Sequence, residues 1–275
     1  MALVDPLIVN LCILLAVCVA TWLLSVATGE HSWVDRIWSI APVCYVWVYA
    51  AATGMRDVRL VLLACLVTLW GARLTFNFAR KGGYARGGED YRWAVLRSRM
   101  GRVAFALFNL FFIVIYQNLL LWLITLPAWT AYRNPRPVNA LDLLAALLFL
   151  GLLTGETTAD QQQWNFHRRK SERASAGLPV DPPFLTTGLF RYSRHPNFFF
   201  EQAQWWVVFL FGAIAAGSVL QWTVVGAVLL SVLFVGSTVF TESISGAKYP
   251  QYADYQARTS AIVPWPPRRS GRTAG

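Results

Sequence analysis

Between Leu7 and Ala27 the chain reads LIVNLCILLAVCVATWLLSVA, a stretch without a single charge. An α-helix needs about 20 mostly apolar residues to cross a bilayer core. Lipid also offers the backbone no hydrogen bonds, so a spanning segment must satisfy its own. Similar apolar runs recur at 5–28, 37–54, 57–79, 103–128, 139–160, 199–216 and 219–241. The expected fold is all-α: a polytopic, integral multi-pass membrane protein with about seven transmembrane helices. Of 275 residues, 56% are hydrophobic and 14% charged, in keeping with that class. The first run is too long for a signal peptide and lacks a small-residue cleavage site, so it reads as a retained helix. No internal repeat or second soluble domain is visible. A single membrane domain over 1–264 is expected, followed by a disordered tail over 265–275, where Pro, Arg and Gly leave nothing to bury.

The cations orient the chain. With the N-terminus outside and the C-terminus cytoplasmic, nineteen of the 24 Lys and Arg residues fall in cytoplasmic loops. Only Arg56, Arg59, Arg133 and Arg136 fall outside. The formal charge of +10 is thus one-sided, suited to anionic membrane lipids. The cations sit in short loops between spans, which argues against nucleic acid as a partner. Cys12, Cys18, Cys44 and Cys65 lie in apolar runs without metal-ligand spacing, so they read as small buried residues, and no metal site is expected.

Polar side chains within spans are costly and mark function. The fifth run ends in TGETTADQQQWNFHRRK, where Glu156, Asp160, Gln163 and His167 follow at steps of four, three and four. That spacing puts them on one helix face. The stretch FRYSRHPNFFFE follows. Pro196 biases His195 away from helix, so RHPN reads as a turn at the mouth of the sixth span. Arg194 suits a phosphate, with Arg191 nearby, and His195 and Asn197 add polar donors. Glu201 shares a face with Asn197. The plainer alternative is an Arg/His pair snorkelling above an aromatic belt, which leaves Glu201 unexplained. Two further clusters are SWVDRIWS, with Asp35 and Arg36, and RKGGYARGGEDYRW, whose glycines read as a flexible loop. Arg73, inside the third span, is expected to pair with Asp35 or Glu156. In the C-terminal YPQYADYQAR, Tyr249, Tyr252, Tyr255 and Arg258 recur every three residues. They suit either a membrane-surface helix or stacking on a cofactor base.

ETTADQQQWNF, TTGLFRYSRHPNFFFE and YPQYADYQARTSAIVP together resemble the C-terminal half of the steroid 5-alpha-reductase-like membrane reductases. DRIWS, LWGARL and GGEDYRW resemble the N-terminal half of their bacterial-type branch, often labelled only as a domain of unknown function. The resemblance covers nearly the whole chain. It implies a seven-helix fold, NADPH entering from the cytosol, and hydride transfer to a carbon–carbon double bond, usually conjugated to a carbonyl, in a lipid-like substrate from the bilayer. Asp160, Arg194, His195, Asn197 and Glu201 match the cofactor-binding pattern, and Tyr249, Tyr252 and Tyr255 match the C-terminal cap. Glu156, His167, Arg191 and Arg258 join the expected cofactor-binding set, while Asp35, Arg73 and Glu201 are the expected catalytic groups. Three positions depart from the pattern. Trp70 stands where a substrate-polarising tyrosine is expected, Phe198 replaces a tyrosine, and Phe200 replaces a glycine. Two alternatives remain open: an S-adenosylmethionine-dependent methyltransferase of the isoprenylcysteine carboxyl methyltransferase type, which shares the RHP turn, and a non-enzymatic transporter or receptor.

Overall fold

The computed structural model describes residues 4–268. Among them every regular element is helical, and the chain is an all-α, multi-pass integral membrane protein. The helices are α1 (Pro6–Thr28), α2 (Trp33–Ile37), α3 (Ala41–Ala52), α4 (Val58–Arg80), α5 (Tyr91–Arg99), α6 (Arg102–Phe108), α7 (Gln117–Leu123), α8 (Leu126–Arg133), α9 (Ala140–Ser175), α10 (Pro196–Ala216), α11 (Val225–Lys248) and α12 (Tyr252–Arg258). A π-helix, Asn109–Tyr116, joins α6 to α7.

Six helical stretches among the described residues are long and apolar enough to cross a bilayer: Pro6–Thr28, Val58–Arg80, Arg102–Arg133, Ala140–Ser175, Pro196–Ala216 and Trp222–Lys248. The second of the seven expected spans, 37–54, is instead the 12-residue α3, preceded by the short α2. At 1.5 Å per residue α3 covers about 18 Å, well short of a hydrocarbon core of about 30 Å. It is an inner helix, with Tyr45, Val46, Tyr49 and Ala50 fully buried. α9 overshoots its apolar run because QQQWNFHRRKSER holds good helix formers that carry the helix on. The cysteines also differ from expectation. Cys12, Cys44 and Cys65 are exposed on apolar helix faces, as small residues facing lipid would be.

The described residues fall into two compact units. The first holds residues up to Phe149 together with Trp205–Leu230, and the second holds Leu150–Gln204 with the residues from Ser231 onward.

In the first unit, α1 turns an apolar face outward (Leu11, Leu15, Val19, Leu23 and Val26) and a polar one inward. Asn10 donates to the Tyr45 carbonyl (3.1 Å), Asn118 Nδ2 to Thr21 Oγ1 (3.1 Å), and Asn109 Nδ2 to Ser25 Oγ (3.0 Å). The π-helix explains how two asparagines nine positions apart reach the same neighbour. At 100° per residue an α-helix would place Asn109 and Asn118 on opposite faces. The wider i→i+5 winding of Asn109–Tyr116 turns less per residue and brings them onto the same side. Interhelical hydrogen bonds of this kind contribute about 0.6–2 kcal/mol each in lipid. Asn118→Leu should therefore lower stability by about 1 kcal/mol, read as a reduced denaturation midpoint in detergent; an unchanged midpoint would remove the seam from the account. Gly71 lets α4 approach the segment before α3, because a Cβ there would lie 2.5 Å from the Ser39 carbonyl oxygen.

Arg59, expected in an outer loop, lies in the first turn of α4 and is buried. Its guanidinium grips Asp142 through two bonds, Nε to Oδ1 at 2.6 Å and Nη2 to Oδ2 at 2.8 Å. It also donates to the carbonyls of Arg136 and Pro137.

In the second unit, residues 192–195 pair with the chain beyond α12. Arg194 N donates to the Ser260 carbonyl (2.8 Å) and His195 N to that of Ala261 (3.0 Å). The expected tail begins as an ordered strap: Trp265 N bonds the Tyr192 carbonyl and Arg268 N that of Arg258, both at 2.9 Å. The rest of that expectation, 269–275, lies outside the described residues.

Candidate functional site

The polar face predicted on α9 belongs to the second unit and grades from buried to exposed. Glu156 and Asp160 are 1% and 4% exposed, Gln163 is half-buried, and His167 is exposed with its ring edge against Phe166. The facing helix α10 starts at Pro196, as the RHPN turn requires. It carries Asn197 in its first turn, then Glu201 (9% exposed) and Gln204 (0%). Gln204 Nε2 donates to Glu156 Oε2 at 2.7 Å. Phe200, where the resembled pattern has glycine, lies over Gly155, whose missing Cβ makes the space: one built there would sit 2.5 Å from the ring. The bulk of one residue is absorbed by the smallness of the other. Phe198 stacks between His195 (5.3 Å) and Phe234 (4.8 Å). The RHPN turn therefore rests on rings, without a phenol.

Arg194 and His195 converge on Glu242, a residue that motif reading passed over. Arg194 Nε and Nη2 reach the Glu242 carboxylate at 2.6 and 2.9 Å, and His195 Nε2 lies 3.1 Å from Oε1. Gln256 Nε2 adds a fourth bond at 2.8 Å. Arg194 Nη1 donates to the Gln256 carbonyl (3.0 Å) and to that of Thr259. Four of the five guanidinium N–H groups are thus taken by the protein, in a fork-to-carboxylate pairing that fixes geometry as well as charge. The available signal was a lone carboxylate at the end of an apolar run, the same logic that picked out Glu201.

The three tyrosines also hold the strap. Lys170 Nζ donates to Tyr249 Oη at 3.0 Å, which holds that phenol's pKa below its ordinary value. Tyr252 is buried edge-on to Phe184 (5.0 Å). Tyr255 stacks on Phe184 (5.6 Å) and donates to the Phe190 carbonyl. Beside them lies an open cavity of about 380 Å³ whose lining includes Arg191, Arg258, Phe184, Tyr255 and Thr186. Arg191 and Arg258 are exposed there. Gln162 Oε1 accepts from Leu189 N (2.9 Å), tying the turn that carries Arg191 to α9.

The expected catalytic groups Asp35 and Arg73 belong to the first unit. Asp35 Oδ2 accepts from Trp93 Nε1 at 3.0 Å, and burial pushes its carboxyl above the usual carboxylate range. A carboxyl that binds its proton more tightly when folded stabilises the fold at low pH, and that stabilisation fades as pH rises through the folded value. Asp35→Asn should flatten the fall in melting temperature as pH rises above about 4, the ordinary aspartate value; an unaltered slope would assign it to other groups. The glycine-rich loop is tied down by this segment. Arg36 donates to the Gly83 carbonyl (3.2 Å) and pairs with Glu30 (2.6 Å), Glu30 accepts from Gly87 N (3.0 Å), and Glu89 accepts from His31. Arg73 lies on α4, one turn beyond Trp70. Among the described residues no group of His, Cys, Asp and Glu has the arrangement of a metal site.

The fold and these clusters define a multi-pass α-helical membrane protein with buried carboxylates in its helices. Residues 21–259 match the family described as "Protein of unknown function (DUF1295)", and the chain belongs to that family. It is 39% identical to an uncharacterized protein of Schizosaccharomyces pombe over 276 aligned residues, covering 94% of this chain and 80% of the relative. No solved structure matches the chain.

Proposed function

We propose that the protein is a membrane-embedded, NADPH-dependent reductase of a carbon–carbon double bond conjugated to a carbonyl in a lipid-like substrate. One observation carries the reading: three carboxylates, Glu156, Asp160 and Glu201, are buried with Gln204 on two helix segments of one unit. Ionisable groups at such depth in a membrane protein are functional by default. Carboxylates and amides are also the side chains that receive ribose hydroxyls and a carboxamide NH₂. NADPH, when bound, supplies a hydride.

Asp160, Glu156 and Asn197 are assigned to ribose and carboxamide, and Glu201 to orienting the reactive ring. Arg191 and Arg258, exposed at the 380 Å³ cavity, are the phosphate-seeking cations. Arg194 and His195, already held by Glu242, are assigned to positioning that rim, with a share in the phosphates where the cofactor competes for them. Substrate handling is assigned to Asp35 and Arg73. A carboxyl with a raised pKa keeps its proton closer to neutrality and donates it as a hydrogen bond. The expected face for the cofactor is the cytosolic one, on the asymmetry of cations.

The test titrates purified protein with NADPH and, separately, with S-adenosylmethionine, following thermal stability. A ligand at 100 times its Kd stabilises by about 2.7 kcal/mol. Stabilisation by NADPH that Asp160→Asn weakens at least tenfold is expected. Stabilisation by S-adenosylmethionine alone would move the protein to the methyltransferase class, and a response to neither ligand would remove the reading.

A further inference from the structure

Two buried indoles of the first unit have donors with no acceptor. Trp70, midway along α4, is 0% exposed, and Trp205, near the middle of α10, is 2% exposed. Their rings meet edge to face, with centroids 4.8 Å apart at 81°. Among the described residues neither Nε1 has a hydrogen-bond partner. In a T-shaped pair one ring offers its edge and the other its face, so at most one N–H can be directed at a neighbouring π cloud. At least one donor is left over. An indole N–H cannot accept, so the donor left over needs an oxygen or nitrogen lone pair. Leaving a buried donor unmade costs about 1–3 kcal/mol, which calls for a reason.

The other orphaned indoles and phenols of this unit stand in different settings. Trp122 and Trp129 also carry enclosed Nε1 atoms without an acceptor among the described residues, but their rings are only partly buried. The phenols of Tyr45 and Tyr49 both donate and accept, and α3 carries them against Asn10 of α1, where shared water can close the set. Trp70 and Trp205 differ from these in being donors only, fully enclosed and in mutual contact.

We propose that Trp70 and Trp205 form a subsite that takes the oxygen of a lipid-borne ligand, with one or two indole N–H groups bonding a carbonyl oxygen at mid-membrane depth. The depth selects the source, because a molecule reaching the middle of two spanning helices comes by way of the bilayer. The choice of an enone as that ligand rests on the reductase reading; the donor pair itself does not. In that reaction a hydride adds to the β-carbon, the π electrons move onto oxygen, and a proton from water completes the α-carbon. The two electrons come from the nicotinamide, which is oxidised. The oxygen then carries more charge than in the ground state, and donors already in place hold it more strongly.

The experiment needs no NADPH, so its failure is separate from failure of the reductase reading. Protein in phosphatidylcholine vesicles is loaded with (E)-pentadec-3-en-2-one labelled with ¹³C at the carbonyl, and the carbonyl stretch is followed by isotope-edited infrared difference spectroscopy. A bound band displaced to lower frequency than in protein-free vesicles is expected. Trp70→Phe and Trp205→Phe, which keep a ring and delete the N–H, should each move the band back towards the lipid position. At least one should weaken enone binding about tenfold, the equivalent of one lost hydrogen bond. A wild-type band at the lipid position, or variants that alter neither band nor affinity, would overturn the proposal. The wild-type arm decides even if a variant fails to fold.

Discussion

Asp142→Ala should be the most destabilising single change in the first unit, lowering the unfolding free energy by about 3–5 kcal/mol. Arg59 and Asp142 are 1% and 0% exposed at their side chains, so removing the carboxylate strands a guanidinium where water cannot reach it. The Arg136 and Pro137 carbonyls would still accept from Arg59, but neither carries a compensating charge. The start of α9 also suffers. Asn139 Oδ1 caps Leu141 N at 2.8 Å while Asp142 Oδ2 accepts from Asn139 N at 2.9 Å, a reciprocal cap that the change would halve. Replacing both ion-pair partners, as in Arg59→Met with Asp142→Leu, should recover most of the loss, because two apolar groups need no partner. Denaturation midpoints in one detergent would check this. A double variant as unstable as Asp142→Ala would mean that packing, rather than the uncompensated charge, sets the cost.

The second large effect is expected at Glu242. Its carboxylate serves Arg194, His195 and Gln256, and the Arg194 and Glu242 side chains are 10% and 9% exposed. Glu242→Ala should cost about 3–5 kcal/mol locally, since it leaves a largely buried guanidinium with backbone carbonyls alone. The loss should appear as release of the strap that runs past Ser260 and Trp265. Limited proteolysis should cut between about residues 249 and 265 in the variant long before the helices yield. Arg194→Lys should mimic the effect, because an ammonium cannot reproduce the forked contact. Equal proteolytic lifetimes for variant and wild type would show that the backbone bonds from Arg194 and His195 hold the strap without the carboxylate.

Much of the fold can be read directly, because lipid leaves so few solutions. The long apolar runs became helices, α1 and α4 with boundaries close to those expected, and Pro196 opens α10 as its fixed φ demands. What escaped was whatever depends on neighbours rather than on composition. The run at 37–54 is apolar enough to span, yet α2, the turn before Ala41 and the break after Ala52 leave it too short. The π-helix at Asn109–Tyr116 has no compositional mark; it is recognisable only because Asn109 and Asn118 both reach α1. Arg59 looked like a loop cation because its partner lies 83 positions along the chain. In the candidate site the E-x3-D face of α9 and the RHPN turn were visible as spacing. That Arg194 is already engaged depends on Glu242, 48 residues further on. Tyr252, Tyr255 and Arg258 fall on α12 as their period suggests, whereas Tyr249 precedes that helix, and Phe184, which all three tyrosines pack against, carries no motif.

The central claim is that this membrane protein passes a hydride to a lipid-like double bond, and transfer of an isotopic label tests it most directly. Protein reconstituted in vesicles with a long-chain enone and NADPH deuterated at the nicotinamide C4 should yield the saturated ketone with one deuterium at its β-carbon, found by mass spectrometry. Asp160→Asn should abolish the labelled product. Unreduced enone alongside intact NADPH, from protein shown to be folded, or a saturated product with no deuterium, would contradict the account.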